Sequence, residues 1–248
     1  MRIYYFACLL WGVQFVQAQT GPGGKGTTDG NSNLVLWLRA DSGVLNAGAL
    51  PAANGETVVT WQDQSGNNYH ALGANSPVFT SANASFASMP TITLVEGDDD
   101  YLFIEDDADE APELDNTDEL SVFFVFNSDN SSGTRALLSK RDGVNNEQSY
   151  LFYEAGNINS RINSNNDAGS AITGGTTYIN SLTYQSGDFN HWLNQASGGG
   201  ISGGTATIPN NNSDLNIGEF HLGDGRTFDG NFAEIIIFRE YLTNAERI

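Results

Sequence analysis

The sequence contains one cysteine, Cys8, and it stands inside the amino-terminal apolar run. A disulfide framework and a thiolate-based zinc site are therefore excluded from the rest of the chain. Basic residues are scarce: Lys and Arg number 10 against 30 Asp and Glu, for a formal charge of -20. A field of that sign repels nucleic acid, anionic lipid, and sulfated or uronic polysaccharides. His70, His191 and His221 are the only histidines and belong to no recognisable triad motif or His-x-x-x-His pair, so nucleophilic and zinc chemistry lack their usual carriers. The Gly-rich stretch GGGISGG (198–204) lacks the Lys-Ser/Thr of a phosphate loop and reads as a hairpin loop. After residue 18 no apolar stretch approaches the roughly twenty residues that span a bilayer.

What is present begins with an export signature. Arg2 supplies a positive start, Ile3 to Val13 is an almost unbroken apolar run, and Val16-Gln17-Ala18 offers small residues for cleavage. At about eleven residues the run is too short to span a bilayer and fits a signal peptide over 1–18. Cys8 stands too early in the run to be a lipid-attachment site. The expected destination is secretion or the cell surface. Residues 19–32 (QTGPGGKGTTDGNS) have no apolar periodicity and read as a flexible lead-in.

From residue 33 onward, short runs rich in Val, Ile, Thr, Phe and Tyr alternate with Gly, Asn, Asp and Ser clusters. They are 34–39, 57–61, 90–95, 101–104, 120–126, 135–140, 149–154, 176–184, 189–194, 215–219 and 232–238. Each has strand length. TTYINSLTY alternates as a half-buried strand does, and LSVFFVF and AEIIIF are continuous as central strands are. The pattern predicts an all-β fold: one two-sheet antiparallel β-sandwich over 33–248, with no internal repeat. At the C-terminus Thr243 and Glu246 form a capping box behind Leu242. The helix they open has room for about one turn, so a longer polypeptide with further domains is expected.

Several motifs now combine. LVLWLRADSGV (34–44), WQDQSGNNYHA (61–71), a Pro-Thr-x-x-Leu strand running into GDDDYL (97–102), and FDGNFAEIIIFREYLTNAERI (228–248) occur in that order. Together they resemble the laminin-G-like domains of the concanavalin-A-like superfamily, over nearly all of residues 34–248. The resemblance implies a jelly roll, often with bound calcium, that serves as a carbohydrate-binding, adhesive or spacer module of a secreted protein. It implies no catalysis by itself. The sequence departs from the family pattern at the acidic segment 105–119 and at Trp192-Leu193-Asn194-Gln195, where Tyr-Val-Asn-Gly is usual.

The candidate sites follow. Asp63, Asp98, Asp99 and Asp100 lie in two turns whose carboxylates and carbonyls suit calcium. The alternatives are an Asx-turn at Asp63 and solvated charge at 98–100. The run 105–119 holds nine acids in fifteen residues and reads as a solvated loop. Glu96, Asp98 and Asp100 are the nearest approach to the paired carboxylates of a jelly-roll glycosidase, and Glu234 reads as an acid paired with an Arg in the core. Tyr69, His70, Asn190, Trp192 and Asn194 are the candidate contacts for an extracellular glycan, because sugars stack on aromatic faces and hydrogen-bond to amides. Trp37 and Trp61 are expected in the core. The leading function is a non-catalytic glycan-binding or adhesion module, with a glycoside hydrolase or a ligand-free spacer as alternatives.

Overall fold

The computed structural model describes residues 19–106, 114, 117–141, 148–162, 165–201, 207–221 and 223–247. Residues 1–18, expected to be a signal segment, and most of the acidic run 105–119 lie outside the described residues. The chain forms β1 (Leu34–Arg39), β2 (Val44–Leu45), β3 (Thr60–Trp61), β4 (Ala71–Ala74), β5 (Val78–Asn83), β6 (Met89–Leu94), β7 (Tyr101–Ile104) and β8 (Glu119–Ser128). It continues with β9 (Arg135–Arg141), β10 (Gln148–Glu154), β11 (Asn157–Ile162), β12 (Asn165–Ala171), β13 (Thr177–Gln185) and β14 (Asp188–Leu193). Last come β15 (Ala196–Ile201), β16 (Leu215–Ile217), β17 (Gly230–Phe238) and one helical turn, α1 (Asn244–Arg247).

The strands form two antiparallel sheets, which is the sandwich the sequence pattern predicts. The first runs β15-β14-β13-β8-β17-β6-β5, with β1 also paired to β17. The second runs β12-β11-β10-β9-β16-β7-β4-β3-β2. Alternation decides which side chains enter the space between them. In β13 the inward set is Asn180, Leu182 and Tyr184, all fully buried, whereas Ile179 is 52% exposed on the outer face. Phe124 of the first sheet meets Phe152 of the second edge to face, with ring centroids 5.7 Å apart. Trp61 is fully buried, as expected. Trp37 is not a core residue: it packs half-buried on the outer face beside Leu34, Phe238 and Leu242.

Two backbone devices shape the surface. β17 pairs with β6 over Gly230–Phe232 and with β1 over Glu234–Phe238. The change of neighbour coincides with a register shift between Phe232 and Glu234, a bulge that parts β1 from β6. The β14–β15 hairpin turns on Asn194 (φ 49) and Gln195 (φ 67). Gln195 thus adopts the left-handed conformation that the usual Gly reaches without strain.

Some expectations are corrected. Residues 19–32 do not form a free lead-in: Gly30 N–H donates to Ser65 O at 3.2 Å, and Lys25 Nζ reaches Glu246 at 2.9 Å. Much of GGGISGG is strand rather than loop, because Gly198–Ile201 belong to β15 and pair with β14. Asp106 of the acidic run is not solvated. It is buried against the fully buried Lys140, whose ammonium also donates to Asn211 O (2.7 Å) and Ser213 O (2.8 Å). Such a pair is tolerated only because each charge is met by the other and by further oxygens.

Two buried ionisable groups face the interior with opposite pH signatures. Glu154 at the end of β10 accepts Ser128 Oγ–H across the sheets at 2.9 Å, and burial pushes its carboxyl up to about 7. His191 is buried against Asn180, and desolvation pulls its imidazole down to about 4. A carboxyl raised in the folded state costs stability as pH climbs from the unfolded value of about 4.5 through 7; a depressed histidine costs stability as pH falls from about 6.5 to 4. The two slopes oppose each other in wild type. Glu154→Gln removes one of them. Its stability relative to wild type should grow by about 3 kcal/mol between pH 4 and pH 8, measured by urea unfolding. A difference independent of pH would show that Glu154 is not held protonated.

Candidate functional site

The loop after β3 is built around one buried carboxylate. Asp63 Oδ1 accepts the backbone N–H of Trp37 and of Ser65, both at 2.9 Å. Its Oδ2 accepts Ser65 Oγ–H (2.7 Å) and Tyr69 N–H (3.2 Å). Asn67 Nδ2 donates to Leu34 O and Val35 O, each at 3.0 Å. These side chains occupy the edge of β1 that β17 leaves open, and an edge so covered recruits no stray strand. Gly66 (φ 95) lets the loop turn against residues 28–30, where a Cβ would lie 2.5 Å from Gly30 N and 2.6 Å from Thr28 O.

The scaffold presents Asn68, Tyr69 and His70 at the mouth of a cleft of about 330 Å³, completed by Asn67, Leu72, Ile104 and Glu105. Tyr69 packs partly on the core, which fixes its ring. His70 Nδ1 accepts Asp63 N–H at 3.1 Å. That bond leaves the proton of the neutral ring on Nε2, as a donor. The cleft combines an aromatic ring, two amides, an imidazole and a carboxylate. Such a mixed set suits a neutral polyhydroxylated ligand, with apolar ring faces against Tyr69 and hydroxyls shared among the polar groups.

The other predicted contacts lie elsewhere. Asn190, Trp192 and Asn194 belong to β14 and its turn in the first sheet, whereas Tyr69 and His70 sit beside the second. The Trp192 face expected to receive a sugar is already covered: the Arg247 guanidinium stacks over it at 4.0 Å. Asn194 Oδ1 accepts Ile179 N–H at 2.9 Å and closes the hairpin. Asn190 is exposed. These three residues do not form a ligand site with Tyr69 and His70.

The calcium set Asp63, Asp98, Asp99 and Asp100 does not assemble. Trp61 pairs with Ala71 at one end of β4, and Tyr101 pairs with Ala74 at the other. The two turns are therefore separated by more than about 10 Å of strand, whereas calcium gathers its oxygens within about 2.6 Å. The Asp63 oxygens are also spent on the four donors above, so Asp63 forms the Asx-turn. Asp100 is buried and accepts Ser76 N–H (2.7 Å) and Val95 N–H (3.2 Å). Asp98 and Asp99 are exposed. Among the described residues no three His, Cys, Asp or Glu side chains form a metal-binding group. Asp63, Asp98, Asp99 and Asp100 therefore do not form one calcium site.

The glycosidase candidates are likewise engaged in a turn. Glu96 and Asp98 belong to a 3-10 turn, Glu96 is held by Arg135 at 2.6 Å, and Asp100 closes the same turn. Glu234 lies on the outer face, not in the core, and accepts the Trp37 indole N–H at 2.7 Å. That outer face also carries a groove of about 460 Å³, which no sequence motif announced. It opens where the β17 bulge parts β1 from β6. A register break is a tertiary feature and leaves little trace in composition.

No family model and no curated protein matches the sequence. The fold is similar to solved structures at low identity. Trypanosoma rangeli sialidase aligns with a TM-score of 0.59 at 14% identity, covering 92% of this chain and 34% of the sialidase. The binding domain of Paraclostridial Mosquitocidal Protein 1 gives 0.62 at 14% identity, covering 86% of this chain and 50% of the other. Domain 4 of AbnA, a GH43 extracellular arabinanase from Geobacillus stearothermophilus solved with arabinotriose, gives 0.57 at 11% identity, covering 78% of this chain and 97% of that domain. The chain thus spans about a third of the sialidase and nearly all of the arabinanase domain. What the likeness establishes is the β-sandwich.

Asp63 is expected to be the most sensitive polar position of the cleft scaffold. Asp63→Ala strands four donors, and its cost should be about 3 kcal/mol in chemical unfolding. Asp98→Ala, on an exposed turn, should stay within about 0.5 kcal/mol of wild type. Equal effects would contradict the roles assigned to the two residues.

Proposed function

We propose that this chain is a laminin-G-like, non-catalytic binding module of an exported protein, and that it takes a neutral glycan in the cleft of Asn67, Asn68, Tyr69, His70 and Glu105. The carrying observation is the cleft itself, a preformed opening whose ring and hydrogen-bonding groups are fixed by the Asp63 loop. Three further facts support the reading. The net charge of -20 disfavours anionic polysaccharides and leaves neutral ones unopposed. The fold is similar to a domain solved with arabinotriose. The apolar run at 3–13, followed by Val16-Gln17-Ala18, fits export to the cell surface or medium.

The non-catalytic assignment rests on the chemistry of the cleft. Among the described residues Glu105 is the one carboxylate that lines it, whereas glycoside hydrolysis ordinarily works with two acids across the scissile bond. Calcium has no part in this proposal. Glycan recognition here relies on stacking and hydrogen bonds alone.

The test is an array of neutral oligosaccharides probed with the purified protein, with and without a chelator. Saturable binding that survives chelation is expected. Tyr69→Ala should weaken it about tenfold, and Glu105→Gln about threefold, with the Glu105 variant keeping the wild-type melting temperature. No retained glycan, or unchanged binding by both variants, would favour a ligand-free spacer. Release of reducing sugar by the wild type would overturn the non-catalytic assignment.

A further inference from the structure

The groove on the outer face of the first sheet has a composition unlike that of the glycan cleft. Its floor is aliphatic: Val125 of β8, Ile179 of β13 and Ala233 at the β17 bulge. One wall is Met89 and Pro90, at the start of β6. Met89 and Ile179 are each 52% exposed, and both are among the most exposed large apolar residues of the domain. Isolated exposed hydrophobics are ordinary, but two in one concavity mark a contact surface. The thioether of Met89 adapts to ligands of varied shape.

The opposite wall is charged. Arg39 forks onto Asp41 through Nε (2.5 Å) and Nη2 (2.6 Å), so those two charges cancel. Glu234 spends one oxygen on the Trp37 indole N–H at 2.7 Å and stands opposite Arg39 in the β1–β17 register. Arg39, Asp41 and Glu234 together leave the wall with one net negative charge beside the apolar floor, within a molecule whose formal charge is -20. Its rim is also the end of a strand, where Pro90 brings no N–H and Thr91 is buried. β6 begins at Met89, yet its ladder with β17 begins only at Ile92, so residues 89–91 are paired by β5 alone.

From this juxtaposition we infer that the groove is a docking site for an extended polypeptide segment that carries aliphatic side chains next to a lysine or arginine. The aliphatic side chains cover Ile179, Val125 and Met89, and the cationic side chain meets Glu234. The rim at Met89 and Pro90 is extended backbone, which an extended segment can follow, held by side-chain contacts rather than by a ladder because Pro90 has no N–H. Charge complementarity selects this occupant over a second copy of the chain, whose own excess of acid repels it. A sugar lacks its platform here, because Phe86, the one aromatic residue of the lining among the described residues, is 7% exposed.

Selection from a displayed library of random heptapeptides tests the inference on the purified protein. The expected pool is enriched in Lys or Arg next to Val, Leu or Ile. A synthetic copy of the most enriched peptide should bind the wild type and lose about tenfold in affinity against Ile179→Asp. Against Glu234→Gln, which keeps an acceptor for Trp37, it should lose about threefold together with most of its salt dependence. Both variants should keep the wild-type melting temperature and, since the glycan cleft lies beside the other sheet, wild-type glycan binding. No enrichment, a pool without basic residues, or binding indifferent to Ile179→Asp would overturn the proposal. Loss of glycan rather than peptide binding in Ile179→Asp would reassign the groove to a sugar.

Discussion

The Asp63 carboxylate joins three parts of the molecule: β1, its own loop and the mouth of the cleft. It accepts from Trp37 of β1, from Ser65 within its own loop and from Tyr69 at the mouth of the cleft. A buried charge of this kind is stable only because backbone and hydroxyl donors replace the water it loses. Removing it would release the open edge of β1 and the loop that positions Tyr69 and His70. Edge protection and site preorganisation thus depend on the same four hydrogen bonds. The cleft is rigid for the reason that the sandwich is closed.

The interior shows how a strongly acidic chain handles charge. Lys140 and Asp106 are buried as a pair and joined by carbonyls of residues 211 and 213, which pins the connection into β16 against β9. Glu154 and His191 take the other route: burial favours their neutral forms, raising the carboxyl to about 7 and lowering the imidazole to about 4. Arg247 and Trp192 solve a related problem on the surface, where a guanidinium covers an aromatic face. The result is a cysteine-free core held by packing, with most of its negative charge left in water.

Strands of Val, Ile and Phe were legible in the sequence. β1 and β7 have the bounds the sequence suggests, and β8, β9, β10, β13, β14 and β17 differ by no more than two residues at either end. β5, β11, β12 and β15 were not legible, because VFTSAN, NINSRI, NNDAGSA and ASGGGI are polar or small. These strands lie at or beside sheet edges, where neighbours rather than propensity decide. The same limit applies to the site. Tyr69 and His70 follow a turn motif that can be read locally. The covering of Trp192 depends on Arg247, 55 positions away in the numbering, and the division of Asp63 from Asp98–Asp100 depends on the β4 register. Contacts of this range are set by topology, which residue patterns do not encode.

Two faces of one sandwich therefore carry different chemistry: a polar, aromatic-edged cleft organised by Asp63, and an aliphatic groove with an acidic rim where β17 changes partners. On the proposed function the cleft holds a glycan without transforming it. Amide chemical-shift mapping during titration with neutral oligosaccharides tests that claim most directly. The account predicts shifts concentrated at residues 67–70 and 105, with Trp192 and the β13–β15 face unmoved. Shifts centred on Trp192, or none at saturating sugar, would contradict it.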